Sequence, residues 1–355
     1  TEPCYVFFDE IQYLRDWEIH LKAIVDRIPS LKCTVSGSAA AALRLRSSES
    51  GAGRFTDFLL PPLTFYEYLD LLGKRDLMED DRDETYYYKT SDIEDLNARF
   101  INYLNFGGYP EVIFSEAIQS DPGRYIKSDI VDKVLLRDLP SLYGIQDIQE
   151  LNSLFTTLAF NTANEVSLEA LSTGSGAAKN TIKRYIEYLE AAFLLRIVHR
   201  VDRNARRFKR ANFFKVYLAN PSMRSALFSP IGPEDSAVGS LAETAIFSQW
   251  FHSDELLHYA RWRNGEVDIV NLDSEQKAFW AVEVKWTDRY FDRPEELKSV
   301  IQFCKSNGLD NALVTTRVKA GTYRIDNVDL EFVPASIYCY TVGYNLIRGK
   351  GEKAK

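Results

Sequence analysis

Cysteine and histidine are both scarce, with four of each in 355 residues. Cys4, Cys33, Cys304 and Cys339 lie far apart, without disulfide-framework or CxxC zinc spacing, and no histidine falls in an HExxH pattern. No uninterrupted apolar run approaches the roughly 18 residues that a membrane span needs. Positive charge is not in excess: 43 Lys and Arg face 51 Asp and Glu, a formal net charge of −8. That balance excludes a uniformly basic nucleic-acid coat and confines any nucleic-acid contact to a local patch. The phosphate-cradling GxxxxGK[ST] is also missing. The nearest stretch, Gly174-Ser175-Gly176-Ala177-Ala178-Lys179-Asn180-Thr181, has two alanines at the Gly-Lys junction and reads as a turn between helices. These absences predict a soluble, cytoplasmic protein with no membrane partner, and poor ATP binding by this stretch of chain.

What is present is ordinary globular material, 45% apolar and 26% charged, and at roughly 150 residues per domain it suggests two to three domains. Tyr5, Val6, Phe7 and Phe8 read as a buried parallel strand with Asp9 and Glu10 at its end. A helix carrying Trp17, Ile19, Leu21, Ile24 and Val25 follows, then a second strand over 31–35 that ends in Ser36-Gly37-Ser38. This is doubly wound α/β logic. From Phe65 to Asp147 the pattern is helical, with six acids in 76–84 and a helix stop at Gly107-Gly108-Tyr109-Pro110. Residues 148–218 predict three helices and a β-ribbon, the winged-helix plan: Ser167 caps the short second helix, and Ile182, Tyr185, Ile186 and Leu189 line the third. A helix around 236–251, strands at 256–262, 266–272 and 279–286, a helix around 294–306 and a strand at 311–316 make an αβββαβ unit. The final GKGEKAK reads as a frayed tail.

Three constellations carry chemistry. On the strand ending AVEVKW, Glu283 and Lys285 share one face, and Trp280, Val282, Val284 and Trp286 make the apolar other face. With Asp268 on the neighbouring strand, two carboxylates converge that would hold a hard divalent cation such as Mg²⁺ or Mn²⁺, and the lysine would orient a water or steady a scissile phosphate. Glu243, on a largely apolar helix, needs a partner, which a metal-bound water would supply. Second, an apolar strand ending Asp9-Glu10 resembles the Walker B element of AAA-type ATPases, in which the aspartate helps hold Mg²⁺ and the glutamate polarises the attacking water. Third, residues 200–215 hold Arg200, Arg203, Arg206, Arg207, Lys209, Arg210 and Lys215 against one Asp202. Placed on a wing beside Lys179, Lys183 and Arg184 of the third helix, they would form a phosphate-binding face for DNA. Each has a plain alternative: a surface ion-pair cluster, a strand ending in solvated acids, and a solvated hairpin.

Glu–Asp–Glu-x-Lys on αβββαβ resembles the PD-(D/E)xK nuclease superfamily, although Val267 stands where its proline would precede Asp268. The order FFDEIQYLRDWE, TVSGSAAAAL, GAGRF, LPPLTFYEYL, FGGYPEV, VLLRDLPSLYGI, NTIKRYIEYLEAAFLL, KVYLANPSMRSAL and GEVDIV…AVEVKW is distinctive. It resembles the prokaryotic AAA-type ATPase family in which a P-loop domain precedes a winged helix and a C-terminal domain of restriction-endonuclease-like fold. The resemblance implies an α/β multidomain chain: a partial AAA-type core over 1–64, a helical lid over 65–147, a winged helix over 148–218, a nuclease-like domain over 219–345 and a tail over 346–355. It places the P-loop upstream of Thr1, makes ATP the cofactor of the complete protein, and assigns Asp9 and Glu10 as the Walker B pair. Ser36 or Ser38 becomes the sensor and Arg54 a finger reaching a neighbouring γ-phosphate in a homo-oligomer. It makes Glu243, Asp268, Glu283 and Lys285 the nuclease-like set, with DNA, branched DNA included, as partner. The alternative is a catalytically degenerate scaffold for protein partners.

Overall fold

The computed structural model describes residues 3–37, 56, 58–80, 88–208 and 212–353. β1 (Cys4–Phe8) pairs in parallel with β2 (Leu31–Val35), and α1 (Trp17–Arg27) crosses between them, as the sequence pattern predicts. Ile11, Trp17 and Leu21 close one side against Phe8, Cys33 and Val35. Tyr5 and Phe7 depart from the expected buried strand: they are 65% and 75% exposed, on the face of the pair that α1 does not cover. β3 (Met78–Glu79) and β4 (Lys89–Thr90) form a short antiparallel pair.

Thr64 and Glu67 make a reciprocal capping box at the start of α2 (Phe65–Leu71). Asp92 caps α3 (Ile93–Phe106), which ends at Gly107. Gly108 is small for a packing reason, since a Cβ there would lie 2.6 Å from the side chain of buried Asn220. The following helical run widens to π-type turns over Gly123–Asp132 and Val134–Asp138 and stops at Gly144, where φ is +64°.

α4 (Ile148–Phe160), β5 (Glu165–Ser167), α5 (Leu168–Ser175) and α6 (Lys179–Ala191) follow. The Ser167 side chain accepts the Ala170 N–H, which fixes the start of α5. The turn read in the stretch from Gly174 to Thr181 is short: α5 runs through Ser175, Gly176 is left-handed, and α6 starts at Lys179. Ile182, Tyr185, Ile186 and Leu189 of α6 pack with Leu151, Leu154, Phe155 and Leu158 of α4 in one apolar cluster.

β6 (Leu195–Val201) and β7 (Phe213–Leu218) then enter a nine-stranded mixed sheet with β8 (Leu257–Trp262), β9 (Gly265–Leu272), β10 (Ala278–Glu283), β11 (Asn311–Thr316), β12 (Gly321–Ile325) and β13 (Val328–Pro334). The strand order is β12-β13-β11-β10-β9-β8-β6-β7-β5. β6 pairs with β7 on one side and in parallel with β8 on the other, so the ribbon expected as a wing is built into the C-terminal sheet. α7 (Val238–Gln249) precedes the antiparallel β8–β9–β10 meander, and α8 (Lys298–Asn307) leads to β11, parallel to β10. That is the α-β-β-β-α-β order read from the sequence.

β12, β13 and α9 (Ala335–Lys353) lie beyond that reading. Residues 349–353, read as part of a frayed tail, continue α9, whose earlier turns are anchored by Ile337, Tyr338, Tyr340 and Val342 among Phe65, Tyr66, Leu241 and Val282. α2, α3, α7 and α9 thus cover one side of the sheet. α8 covers the other through Val300, Ile301 and Phe303 against Val267, Val270 and Val314.

Candidate active site

β7 is apolar except for Lys215. Phe214, Val216 and Leu218 join the helical cluster on one side of the strand, so Lys215 and Tyr217 face α7 and the meander. Lys215 is 2% exposed, and its Nζ lies 2.9 Å from Glu243 Oε1, 2.8 Å from Glu266 Oε1 and 3.2 Å from Asp268 Oδ1. Tyr217 donates to the same Glu243 oxygen at 2.6 Å. The partner expected for Glu243 was a metal-bound water; this structure gives it a lysine and a phenol. The Lys215 ammonium also stands 5.5 Å from the Tyr259 ring centre.

Asp268 reaches this point through a break in the ladder. His258 pairs with Val270 and Ala260 with Val267, so Asp268 and Ile269 together oppose Tyr259. Such a bulge re-aims side chains, and bulges concentrate beside sites. Asp268 Oδ2 accepts the Val284 N–H at 2.9 Å, just past the end of β10, and the Lys285 ammonium at 3.3 Å. Lys285 Nζ is also 2.7 Å from Glu283 Oε1 and 3.1 Å from the Val284 carbonyl. Its own N–H donates to Thr315 Oγ1 at 2.7 Å, which ties the strand end to β11. The structure therefore brings together all four residues of the Glu–Asp–Glu-x-Lys set and adds Lys215, Tyr217 and Glu266. Trp280, Val282, Val284 and Trp286 serve the core, as expected.

Electrostatics follow from burial. Burial, then the charge of Asp268, pushes Glu283 up to about 8 and Glu243 up to about 7. Burial also works against the charge of Asp268, but Lys285, Lys215 and the Val284 amide outweigh it and hold the group at about 2. Desolvation opposes both lysine charges as well. The surrounding carboxylates prevail, and both ammonium groups are held protonated well above the ordinary range. Glu283 Oε2 is buried without a hydrogen-bond partner. Among the described residues, no group of three or more His, Cys, Asp and Glu side chains is placed to hold a metal by itself. A cation here would therefore rely on Asp268, Glu283 and a backbone carbonyl.

At the N-terminal unit, Asp9 and Ser36 meet, since the Ser36 hydroxyl donates to Asp9 Oδ1. Glu10 turns the other way, with φ +51°, and its Oε1 lies 2.7 Å from Lys133 Nζ. Tyr13 donates to buried Asp138 at 3.0 Å, so the turn after β1 and the wide helical run share two polar contacts. Ser38 and Arg54 lie outside the described residues.

The basic set divides. Lys179, Lys183 and Arg184 are exposed on α6, where Lys179 and Lys183 approach Glu169 and Glu187 at 3.3 and 3.8 Å. Arg203, Arg206 and Arg207 are exposed on a loop pinned by Asp202, which accepts the backbone N–H of Arg206 at 3.0 Å, and by Asn307, which donates to the Arg203 carbonyl at 2.9 Å. Lys215 departs from the expected wing face because a lysine at mid-strand β7 points into the carboxylates. Arg200 is drawn inward too, 3.6 Å from Glu165 and over the rings of Phe208 and Phe213. Lys209 and Arg210 lie outside the described residues.

Comparison with known proteins adds family context. Residues 1–69 match a family model described as an AAA domain, which supports an AAA-type ATPase family. Residues 97–235 match a domain of unknown function (DUF8612), which runs across 147/148 and 218/219 alike. The chain is similar to Uncharacterized protein MJ1544 of Methanocaldococcus jannaschii, 24% identical over 322 residues, covering 86% of this chain and 66% of the relative. An uncharacterized protein of Haemophilus influenzae is 24% identical over 305 residues, covering 83% and 67%. Uncharacterized protein MJ1637 of M. jannaschii is 22% identical over 274 residues, covering 69% and 53%. The chain thus spans between half and two thirds of these relatives' length. No solved structure matches it. Among the described residues, no helix is long and apolar enough to cross a membrane.

Proposed function

We propose that this chain belongs to an AAA-type ATPase whose C-terminal sheet carries a metal-dependent phosphodiesterase acting on DNA. One observation carries the reading: Asp268, Glu283 and Lys285 converge, with Glu243 behind them, at the end of the β9–β10 pair in an α-β-β-β-α-β unit. The donor set fits Mg²⁺ or Mn²⁺, hard cations that take carboxylate and carbonyl oxygens. The buried Glu283 Oε2, without a hydrogen-bond partner, is an oxygen that a bound cation would satisfy. When bound, the cation supplies Lewis-acid polarisation of a phosphoryl oxygen. Asp268 and Glu283 would hold it, with the Val284 carbonyl beside them. Lys285 would steady the scissile phosphate or orient the attacking water. Glu243 fixes Lys215.

DNA would be held by phosphate contacts from Arg203, Arg206 and Arg207 and from Lys179, Lys183 and Arg184. In the complete protein, ATP and Mg²⁺ would sit at Asp9, Glu10 and the Ser36 strand end, and the nucleotide state would govern the DNA-facing part. The direct test is Mg²⁺- or Mn²⁺-dependent cleavage of single-stranded, duplex and four-way-junction DNA by the wild type and Asp268→Asn. Cleavage lost in the variant supports the reading. A second reading, a degenerate scaffold for protein partners, is favoured by the lysines that already satisfy both Asp268 oxygens. Absence of cleavage on every substrate by folded protein that still binds DNA would favour it.

A further inference from the structure

Asp268 stands between two cation positions, each filled by an ammonium group. Lys285 Nζ occupies the first, bounded by Asp268 Oδ2, Glu283 Oε1 and the Val284 carbonyl at 3.3, 2.7 and 3.1 Å. Lys215 Nζ occupies the second, bounded by Asp268 Oδ1, Glu243 Oε1 and Glu266 Oε1 at 3.2, 2.9 and 2.8 Å. A carboxylate shared in this way is the bridging element of two-cation phosphodiesterase sites, where one cation serves each side of the scissile phosphate.

The two lysines are not equally free to leave. The Lys285 side chain is 25% exposed and sits beyond the last residue of β10. Lys215 is 2% exposed and mid-strand, with Tyr217 holding one of its carboxylates and Arg261 holding the other oxygen of Glu266. Withdrawing Lys215 would strand three carboxylates at once, whereas Lys285 can swing outward and leave the oxygens of Asp268 and Glu283 to a cation. We infer that Lys215 is a built-in second cation of this centre, so that the site takes one divalent cation, at the Lys285 position, and never two. Lys215 then contributes the fixed positive charge that a second metal would otherwise supply, and it does so from β7, the strand that backs the helical unit.

This inference rests on the phosphodiesterase reading only in that a divalent cation enters the centre, and the test separates the two. Mn²⁺ binding is titrated by calorimetry on wild type, Lys215→Met and Asp268→Asn. The expected result is one Mn²⁺ per wild-type chain, abolished by Asp268→Asn, and two per chain in Lys215→Met. Two Asp268-dependent ions in the wild type, or one in both wild type and Lys215→Met, overturns the inference and leaves metal binding standing. No Asp268-dependent Mn²⁺ in either protein overturns the metal reading and this inference together. Acetylation of the wild type followed by peptide mass spectrometry needs no variant and decides the matter if Lys215→Met does not fold. Lys285 should gain at least several-fold in reactivity when Mn²⁺ is added, with Lys215 protected throughout. Lys215 gaining instead, or neither changing, contradicts it.

Discussion

Lys215 and Asp268 are 53 residues apart, with strands β6 and β8 between their own, and a 3.2 Å hydrogen bond joins the ammonium of one to Oδ1 of the other. This contact binds the strand that backs the helical unit to the strand that carries the candidate site, so the two cannot be separated without breaking a buried charge network.

Removing Lys215 should cost more than any exposed ion pair in the molecule. Lys215→Ala leaves Glu243, Glu266 and Asp268 without their shared cation, and breaking a buried pair from one side costs about 3–5 kcal/mol. Urea denaturation at neutral pH in EDTA should show that loss. A change under about 1 kcal/mol would mean that the network adds little to stability.

Stability should also fall as pH rises. In cation-free protein Glu283 and Glu243 stand at about 8 and about 7 against an ordinary value of 4.5. Between those values the folded state keeps protons that the unfolded state has released, so stability declines from about pH 5 to about pH 8. Asp268 acts in the opposite sense: its contribution is present above 3.8 and disappears only as pH falls toward 2. Glu283→Gln removes one titration, so its urea midpoint in EDTA should drop less between pH 5 and pH 8 than that of the wild type. Equal drops would contradict the assignment.

If the exposed arginines touch DNA phosphates, charge reversal should change the salt dependence as well as the affinity. Arg206→Glu combined with Arg207→Glu should weaken DNA binding and flatten the slope of log affinity against log salt by about 2 units. Fluorescence anisotropy across a salt series would show it. An unchanged slope would remove this loop from the interface.

Gly108→Ala should destabilise by about 1–3 kcal/mol through overpacking against Asn220. Thermal unfolding of the single variant tests this, and Gly144→Ala, with no neighbour within 4 Å but φ +64°, separates steric from backbone cost.

Periodicity made α1, α4, α6 and α8 legible, because each buries a stripe of the matching period, whereas α7 and the meander strands were legible as apolar runs buried on nearly every side. The Glu–Asp–Glu-x-Lys residues were legible for the same reason: acids and a lysine interrupt apolar runs that otherwise serve the core. Lys215 carried the same signal, a lone charge in FFKVYL, but its neighbours in a basic run drew it to the solvated loop. Its partners sit 28 to 53 residues away, a relationship that local pattern does not encode. The joining of β6 to β8 was hidden likewise, since parallel pairing between distant strands leaves no turn signature. The exposure of Tyr5 and Phe7 depends on what covers β1, not on the strand's own composition.

Single-turnover cleavage of duplex and four-way-junction DNA in Mg²⁺, comparing wild type, Asp268→Asn and Lys285→Met at matched DNA occupancy, decides whether this centre is a phosphodiesterase. The expected result is metal-dependent cleavage by the wild type and at least a hundredfold loss in both variants, with DNA binding retained. Equal cleavage by all three proteins would place the chemistry elsewhere, and no cleavage by a folded, DNA-bound wild type would contradict the phosphodiesterase assignment.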